Sequence, residues 1–232
     1  MAKNKSEENN LEIKIILLGE TATGKTTLIN TYYGEKFNSN AISTSVCQSN
    51  IKKLKINNKQ YIINIWDTAG QEKFRSLTQN FIKGSNIVIL VYDITRRDTF
   101  LELNYWFDVA SLELGKNAVF GVAGNKSDLF ESSQVTSEEG KIFANQKESI
   151  FSLTSAKESP KSFEDLVQKL LERYLKNENI IKKCETITIS KKTKKKRNVV
   201  KINLVIFYFE IYNLIVIYND VNNKSNYFIY NN

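Results

Sequence analysis

The chain reads as a single α/β domain with a six-stranded, mostly parallel sheet, followed by a compositionally distinct tail. Three observations predict this. Short β-branched apolar runs alternate with helix-compatible stretches across residues 11–175. A stretch of that length can bury one sizeable core. The first apolar run, residues 13–18, enters a turn bounded by Gly19 and Gly24, and a helical pattern leaves it.

Taken in order, the strand candidates are residues 13–18, 49–56, 61–66, 86–92, 118–123 and 150–153. Asn57-Asn58 between the second and third reads as a tight hairpin, so those two strands should be antiparallel. The helical stretches are 25–33, 98–114, 137–146 and 162–174, within a total of about five flanking helices. The single proline, Pro160, stands just ahead of the last of them, where its fixed φ suits a helix start.

Gly19-Glu20-Thr21-Ala22-Thr23-Gly24-Lys25-Thr26 has the spacing of a phosphate-binding loop. Amides from Glu20 through Thr27 at a helix start can point at phosphate oxygens. Both glycines would let the backbone wrap where a side chain would collide with an anion. Lys25 offers a mobile cation, and Thr26 a hydroxyl for Mg2+. Three more segments follow strand-like runs. In Asp67-Thr68-Ala69-Gly70-Gln71-Glu72, Asp67 can hold Mg2+ through water and the Gly70 amide can reach a γ-phosphate. In Asn125-Lys126-Ser127-Asp128, the acid can accept from guanine N1 and N2, a donor pair that adenine lacks. Thr154-Ser155-Ala156-Lys157 can present amides to the base carbonyl. Any one of these could be a solvated loop. All four in this order, each after a strand, point to one nucleotide crevice.

With those motifs in place the chain resembles the Ras superfamily of small GTPases, and within it the Rab family, over roughly residues 11–175. Rab-like details are Trp66-Asp67-Thr68-Ala69-Gly70-Gln71-Glu72-Lys73-Phe74-Arg75, Val91-Tyr92-Asp93-Ile94-Thr95, Trp106 and Gly124-Asn125-Lys126-Ser127-Asp128-Leu129. The resemblance implies a single P-loop NTPase domain of the small GTPase type. It places Phe37, twelve residues after Lys25, beside the guanine, and Thr44, nineteen after it, on magnesium with Thr26 and Asp67. It assigns Gln71 the orienting of the attacking water. The implied ligands are GTP or GDP with Mg2+. The implied partners are an exchange factor, effectors and a GTPase-activating protein, the last supplying an arginine from outside because no cis arginine stands near the switch segments despite Arg75, Arg96 and Arg97. Loss of the γ-phosphate would release the loops around Thr44 and Gly70. The implied role is a GTP-hydrolysing switch in vesicle traffic. The alternative is a nucleotide-loaded scaffold with negligible turnover, and an ATPase or kinase fails on base recognition.

Departures from the Rab pattern cluster before the second strand. Ser45-Val46-Cys47-Gln48-Ser49 stands where Rabs run Ile-Gly-Val-Asp-Phe, which bears on effector and chaperone contacts. Ala41 replaces an aromatic that many relatives place over the nucleotide, and Thr21 occupies a position that is commonly serine in Rabs.

Charge divides the chain. The whole carries +8, yet residues 1–175 balance to +1 and residues 176–232 to +7. A basic groove for nucleic acid is therefore not expected. All nine glycines lie between Gly19 and Gly140, which also puts a boundary near residue 175. Residues 1–10 are polar and expected to be disordered. The tail, 176–232, is expected to be disordered or to serve as a membrane anchor. Its run from Lys191 to Arg197 holds six cations in seven residues and would be attracted to anionic lipid. Residues 199–218 are long enough to span a bilayer, although Glu210 near their centre costs about 2.5–3.5 kcal/mol on insertion. A mispredicted reading-frame end is the further alternative. Cys47 and Cys184 have no metal-site spacing, no histidine is present, and no cysteine stands at the carboxyl end for a prenyl group. The expected setting is a cytoplasmic monomer, peripheral on the cytoplasmic face of an endomembrane.

Overall fold

The computed structural model describes residues 11–38, 47–56, 59–68, 80–115, 118–193, 202–209, 213–220 and 227–229. The chain divides into two units, residues 1–179 and 180–232.

In the first unit, the apolar runs become β1 (Leu11–Leu18), β2 (Gln48–Ile56), β3 (Lys59–Asp67), β4 (Ile87–Asp93), β5 (Val119–Asn125) and β6 (Ile150–Leu153). Each lies within about two residues of its sequence expectation, the usual scatter of strand ends. The sheet order is β2-β3-β1-β4-β5-β6. β2 pairs antiparallel with β3, as the hairpin reading expects; Asn57 and Asn58 themselves lie outside the described residues. Every other neighbouring pair is parallel. β4 and β5 are buried at every position, which suits central strands covered on both faces. β2, at the sheet edge, alternates between exposed and half-buried.

Side-chain alternation on β1 sorts the core into two layers. Ile13, Ile15 and Leu17 join Leu28, Ile29, Phe163, Leu166, Val167 and Leu170. Ile16 and Leu18 join Leu103, Trp106, Phe143 and Ala144 on the opposite face. Helices therefore cover both faces. They are α1 (Lys25–Tyr32), α2 (Arg97–Leu101), α3 (Leu103–Leu114), α4 (Ser137–Gln146) and α5 (Pro160–Thr193), with a 3-10 segment at Ser127–Ser132.

Two helices differ from the sequence reading. The stretch expected as one helix over 98–114 is divided at Glu102 into two helices, although Glu102 itself keeps right-handed helical backbone with φ −70° and ψ −10°. The last helix, expected over 162–174, begins at Pro160 itself and continues to Thr193. No glycine or proline interrupts residues 161–193, so nothing in the backbone chemistry stops it at Tyr174. α4 has the bounds expected, and Thr136 with Glu139 forms a capping box at its start.

The second unit contains an antiparallel sheet of order β7-β8-β9, formed by Ile202–Phe209, Asn213–Asp220 and Tyr227–Ile229. Among the described residues, no helix is long and apolar enough to cross a membrane.

Phe163 is wholly buried and meets the Tyr32 ring edge-on at 6.0 Å, joining α5 to α1 across the lower layer. Phe163→Ala should lower stability by about 3–5 kcal/mol. Urea denaturation should show a lower midpoint with an unchanged slope.

Candidate functional site

Five strands run parallel, and their carboxyl ends share one edge of the sheet. The residues following those ends are Gly19, Thr68, Ile94, Lys126 and Thr154. Ligands of open α/β sheets bind at that edge, and the four sequence motifs lie there because of it.

The phosphate loop turns through two glycines. Gly19 has φ +145° and Gly24 φ +92°, both unsuited to a side chain. A Cβ on Gly19 would stand 2.1 Å from the Val91 carbonyl oxygen, and one on Gly24 would stand 2.3 Å from Asn125 Nδ2. The sequence reading assigns these glycines to close approach of an anion. Within the protein itself, Gly19 lets the loop lie against β4, and Gly24 makes room for the Asn125 amide. Ala22 also takes positive φ, +60°, at the exposed tip of the loop.

Lys25 is 5% exposed, and its ammonium donates to the carbonyls of Gly19 and Glu20, each at 2.8 Å. Burial brings its pKa from 10.5 down to about 8, while Asp67 and Glu20 pull it back upward. Thr26 Oγ1 donates to Asp67 Oδ2 at 2.7 Å, so a hydroxyl from α1 and a carboxylate from the end of β3 meet in one place. These are hard oxygen donors of the kind magnesium accepts, and their convergence fits that ion. Thr68 Oγ1 bonds the Leu17 carbonyl at 2.6 Å and fixes β3 to β1 just before residue 69. Thr27 is half-buried in the first turn of α1, and Phe37 is 42% exposed in the segment after that helix. Thr44, Gly70 and Gln71, together with Ala41 and Arg75, lie outside the described residues.

Asn125 ties three loops together. Its Nδ2 donates to the Thr23 carbonyl at 2.8 Å, and its Oδ1 accepts from Thr154 Oγ1 at 3.2 Å. Thr23 Oγ1 in turn donates to the Glu20 carbonyl at 2.9 Å. Lys126 has left-handed backbone, φ +63°, and its ammonium pairs with Asp93 Oδ2 at 2.6 Å. Asp93 is 1% exposed, and its other oxygen accepts from Thr95 N and Oγ1 at 2.9 and 2.7 Å. Asp128 Oδ1 accepts from Ser155 Oγ at 2.6 Å, and Ser155 Oγ accepts from Glu158 N at 3.0 Å. Ala156 is buried and Lys157 exposed. The Asp128 carboxylate is thus held by the loop after β6, half-buried, where it can receive a pair of in-plane donors.

Sequence reasoning assigned no role to Asp93, Arg96 or Trp106, nor to the Thr154 hydroxyl. Arg96 Nη1 donates to the Thr21 carbonyl at 3.1 Å, and Trp106 Nε1 donates to Glu20 Oε1 at 3.0 Å. Asp93 carried a usable signal, an acid closing an otherwise apolar strand. The Trp106 and Arg96 contacts span 86 and 75 residues and have no local mark.

Three relationships to known proteins bear on this geometry. The model of the Ras family matches residues 14–176. The chain is 39% identical over 164 residues to the Ras-related protein Rab-17 of Mus musculus, a match spanning 69% of this chain and 76% of that one. It is 35% identical over 171 residues to the Ras-related protein Rab-2B of Dictyostelium discoideum, spanning 72% and 85% respectively.

The folded pKa of Lys25 lies below its unfolded value. Burial therefore costs stability at pH values below both and is relieved as pH rises from about 8 to 10.5. In the ligand-free chain, stability relative to Lys25→Met should rise by about 3 kcal/mol across that window. Urea titrations at intervals through it would read the change, and a flat difference would mean the ammonium is not desolvated.

Proposed function

Since the chain belongs to the Ras family of small GTPases, in its Rab branch, we propose that this crevice is a guanine-nucleotide site and that the protein is a GTP-hydrolysing switch in vesicle traffic. One observation carries the reading. The Asn125 side chain bonds the phosphate loop and the loop after β6 at once, which supports reading the loops that carry Lys25 and Ser155, the partner of Asp128, as parts of one site.

Each residue then has a task set by its chemistry. Lys25, buried and held by two carbonyls, presents its charge to the β- and γ-phosphates. Bound phosphate would return its pKa toward the ordinary lysine value. Amides of Glu20, Thr21, Ala22, Thr23, Gly24, Thr26 and Thr27 surround the phosphates. Thr26 and Asp67, with Thr44, would hold Mg2+, which when bound neutralises charge on the phosphate oxygens. The Gly70 amide meets the γ-phosphate, and Gln71 orients the attacking water. Asp128 accepts from the guanine N1 and N2 donors, while Ser155, Ala156 and Lys157 present amides to the base carbonyl. Phe37 and the Lys126 stem flank the base. Adenine would leave the Asp128 carboxylate without its donor pair.

Arg96 bonds Thr21 and Asp98, and Arg97 bonds Gln134 and Glu139. Both guanidinium groups are engaged within the fold, so slow intrinsic hydrolysis accelerated by an arginine from a GTPase-activating protein suits this chain. That arginine is worth roughly 10^3–10^5 in rate. Exchange factors and effectors complete the cycle. The protein would work as a monomer on the cytoplasmic face of an endomembrane, with the basic run of the tail attracted to anionic lipid.

Asp128→Ala should cost GTP affinity about tenfold to a hundredfold and erase its preference over ATP, since a buried base loses a charge-assisted pair. Competition binding on the full chain reads this directly, and an unchanged preference would overturn the base assignment. Gln71→Leu should abolish single-turnover hydrolysis while leaving GTP bound. Hydrolysis persisting at the wild-type rate would remove Gln71 from the mechanism.

A further inference from the structure

Glu20 is the one carboxylate within the phosphate loop, residues 19–26. Its position is awkward, since a site for anions gains nothing from an anion of its own. Its backbone carbonyl already lies inside the loop, accepting from Lys25 Nζ and Thr23 Oγ1. Its side chain leaves in another direction and meets Trp106 Nε1 at 3.0 Å. That indole is 1% exposed and embedded among Ile16, Leu18, Leu90 and Val122, with Tyr105 edge-on at 5.3 Å. A ring packed this closely cannot follow a wandering carboxylate, so the donor determines where the acceptor sits. Thr21, the next residue, is bonded through its carbonyl to Arg96 from the same segment of chain. Two adjacent loop residues are therefore tied to residues 96–106 by independent bonds.

We propose that Trp106 is a positioning residue for the phosphate loop: its indole N–H holds the Glu20 carboxylate off the Lys25 ammonium and thereby sets how long a nucleoside diphosphate is retained. The inference rests on the reading of this crevice as a guanine-nucleotide site. Lys25 is the cation for which the two anions compete. Glu20 already acts on it electrostatically, favouring its charged form. Released from Trp106, the same carboxylate can turn toward that ammonium and displace phosphate as its counter-ion. The link acts through charge, so it should vanish when the charge is removed, whereas a packing effect of the tryptophan should not.

The test is release of a fluorescent GDP analogue from four full-length proteins: wild type, Trp106→Phe, Glu20→Gln and the double variant. Trp106→Phe should speed release about tenfold in the wild-type background, the scale of one lost hydrogen bond to a charged group. In the Glu20→Gln background the same change should alter release by less than about twofold. Equal acceleration in both backgrounds, or none in either, overturns the inference. If Trp106→Phe does not fold, benzothienylalanine at position 106, introduced in a Trp66→Phe background, keeps the ring volume and removes only the N–H, and the same two outcomes apply. A wild-type chain that retains no labelled GDP overturns both this link and the underlying reading. Retention without the coupling overturns the link alone.

Discussion

The Asn125 amide is the interaction on which the site depends. Its two polar ends are both used, one on the Thr23 carbonyl and one on the Thr154 hydroxyl, and the residue is 2% exposed. A buried amide that lost either partner would leave a desolvated group unpaired at about 1–3 kcal/mol. The pull is therefore strong enough to hold three loops in register while each loop remains irregular. Gly24 follows from it, because a Cβ there would occupy the space of the amide nitrogen. The loops that carry Lys25 and Ser155, the partner of Asp128, are likewise held together through this one amide.

Charge is distributed with equal economy. Among the described residues, Lys25, Lys126 and Asp128 each have a neighbour that restrains them. Lys25 is countered by Asp67 and Glu20, Lys126 by the deeply buried Asp93, and Asp128 by the Ser155 hydroxyl. The two oxygens of the buried Asp93 together accept three hydrogen bonds, one of them from an ammonium. Two cations are thus held in place before any ligand binds, Lys25 by carbonyls of the loop and Lys126 by Asp93.

Much of this fold was legible in the linear chain. The strands were found because β-branched runs with turn residues between them have few alternatives, and the antiparallel hairpin at Asn57-Asn58 emerged from turn chemistry alone. The helix bounds were less well read. Nothing in residues 98–114 announces the division at Glu102; the turn before it is tied to β4 by Thr99 Oγ1, which accepts from Asp93 N and donates to the Arg96 carbonyl. The sequence reading ends the last helix at Tyr174. Backbone propensity continues past it, and the helix with it.

The linear order alone determined the fold class, the order of the loops and the candidate roles of Lys25, Thr26, Asp67 and Asp128. Those features depend on spacing along a strand–turn–helix unit, and spacing is written in the chain. Tertiary structure decided what holds them: Asn125 to Thr23 across 102 residues, Trp106 to Glu20 across 86, Lys126 to Asp93, Ser155 to Asp128 across 27. Such pairs are set by which strand ends become neighbours and how the helices roll against the sheet. No local periodicity records that outcome. A hydrogen bond also demands placement within a few tenths of an ångström, and only the packed core supplies it.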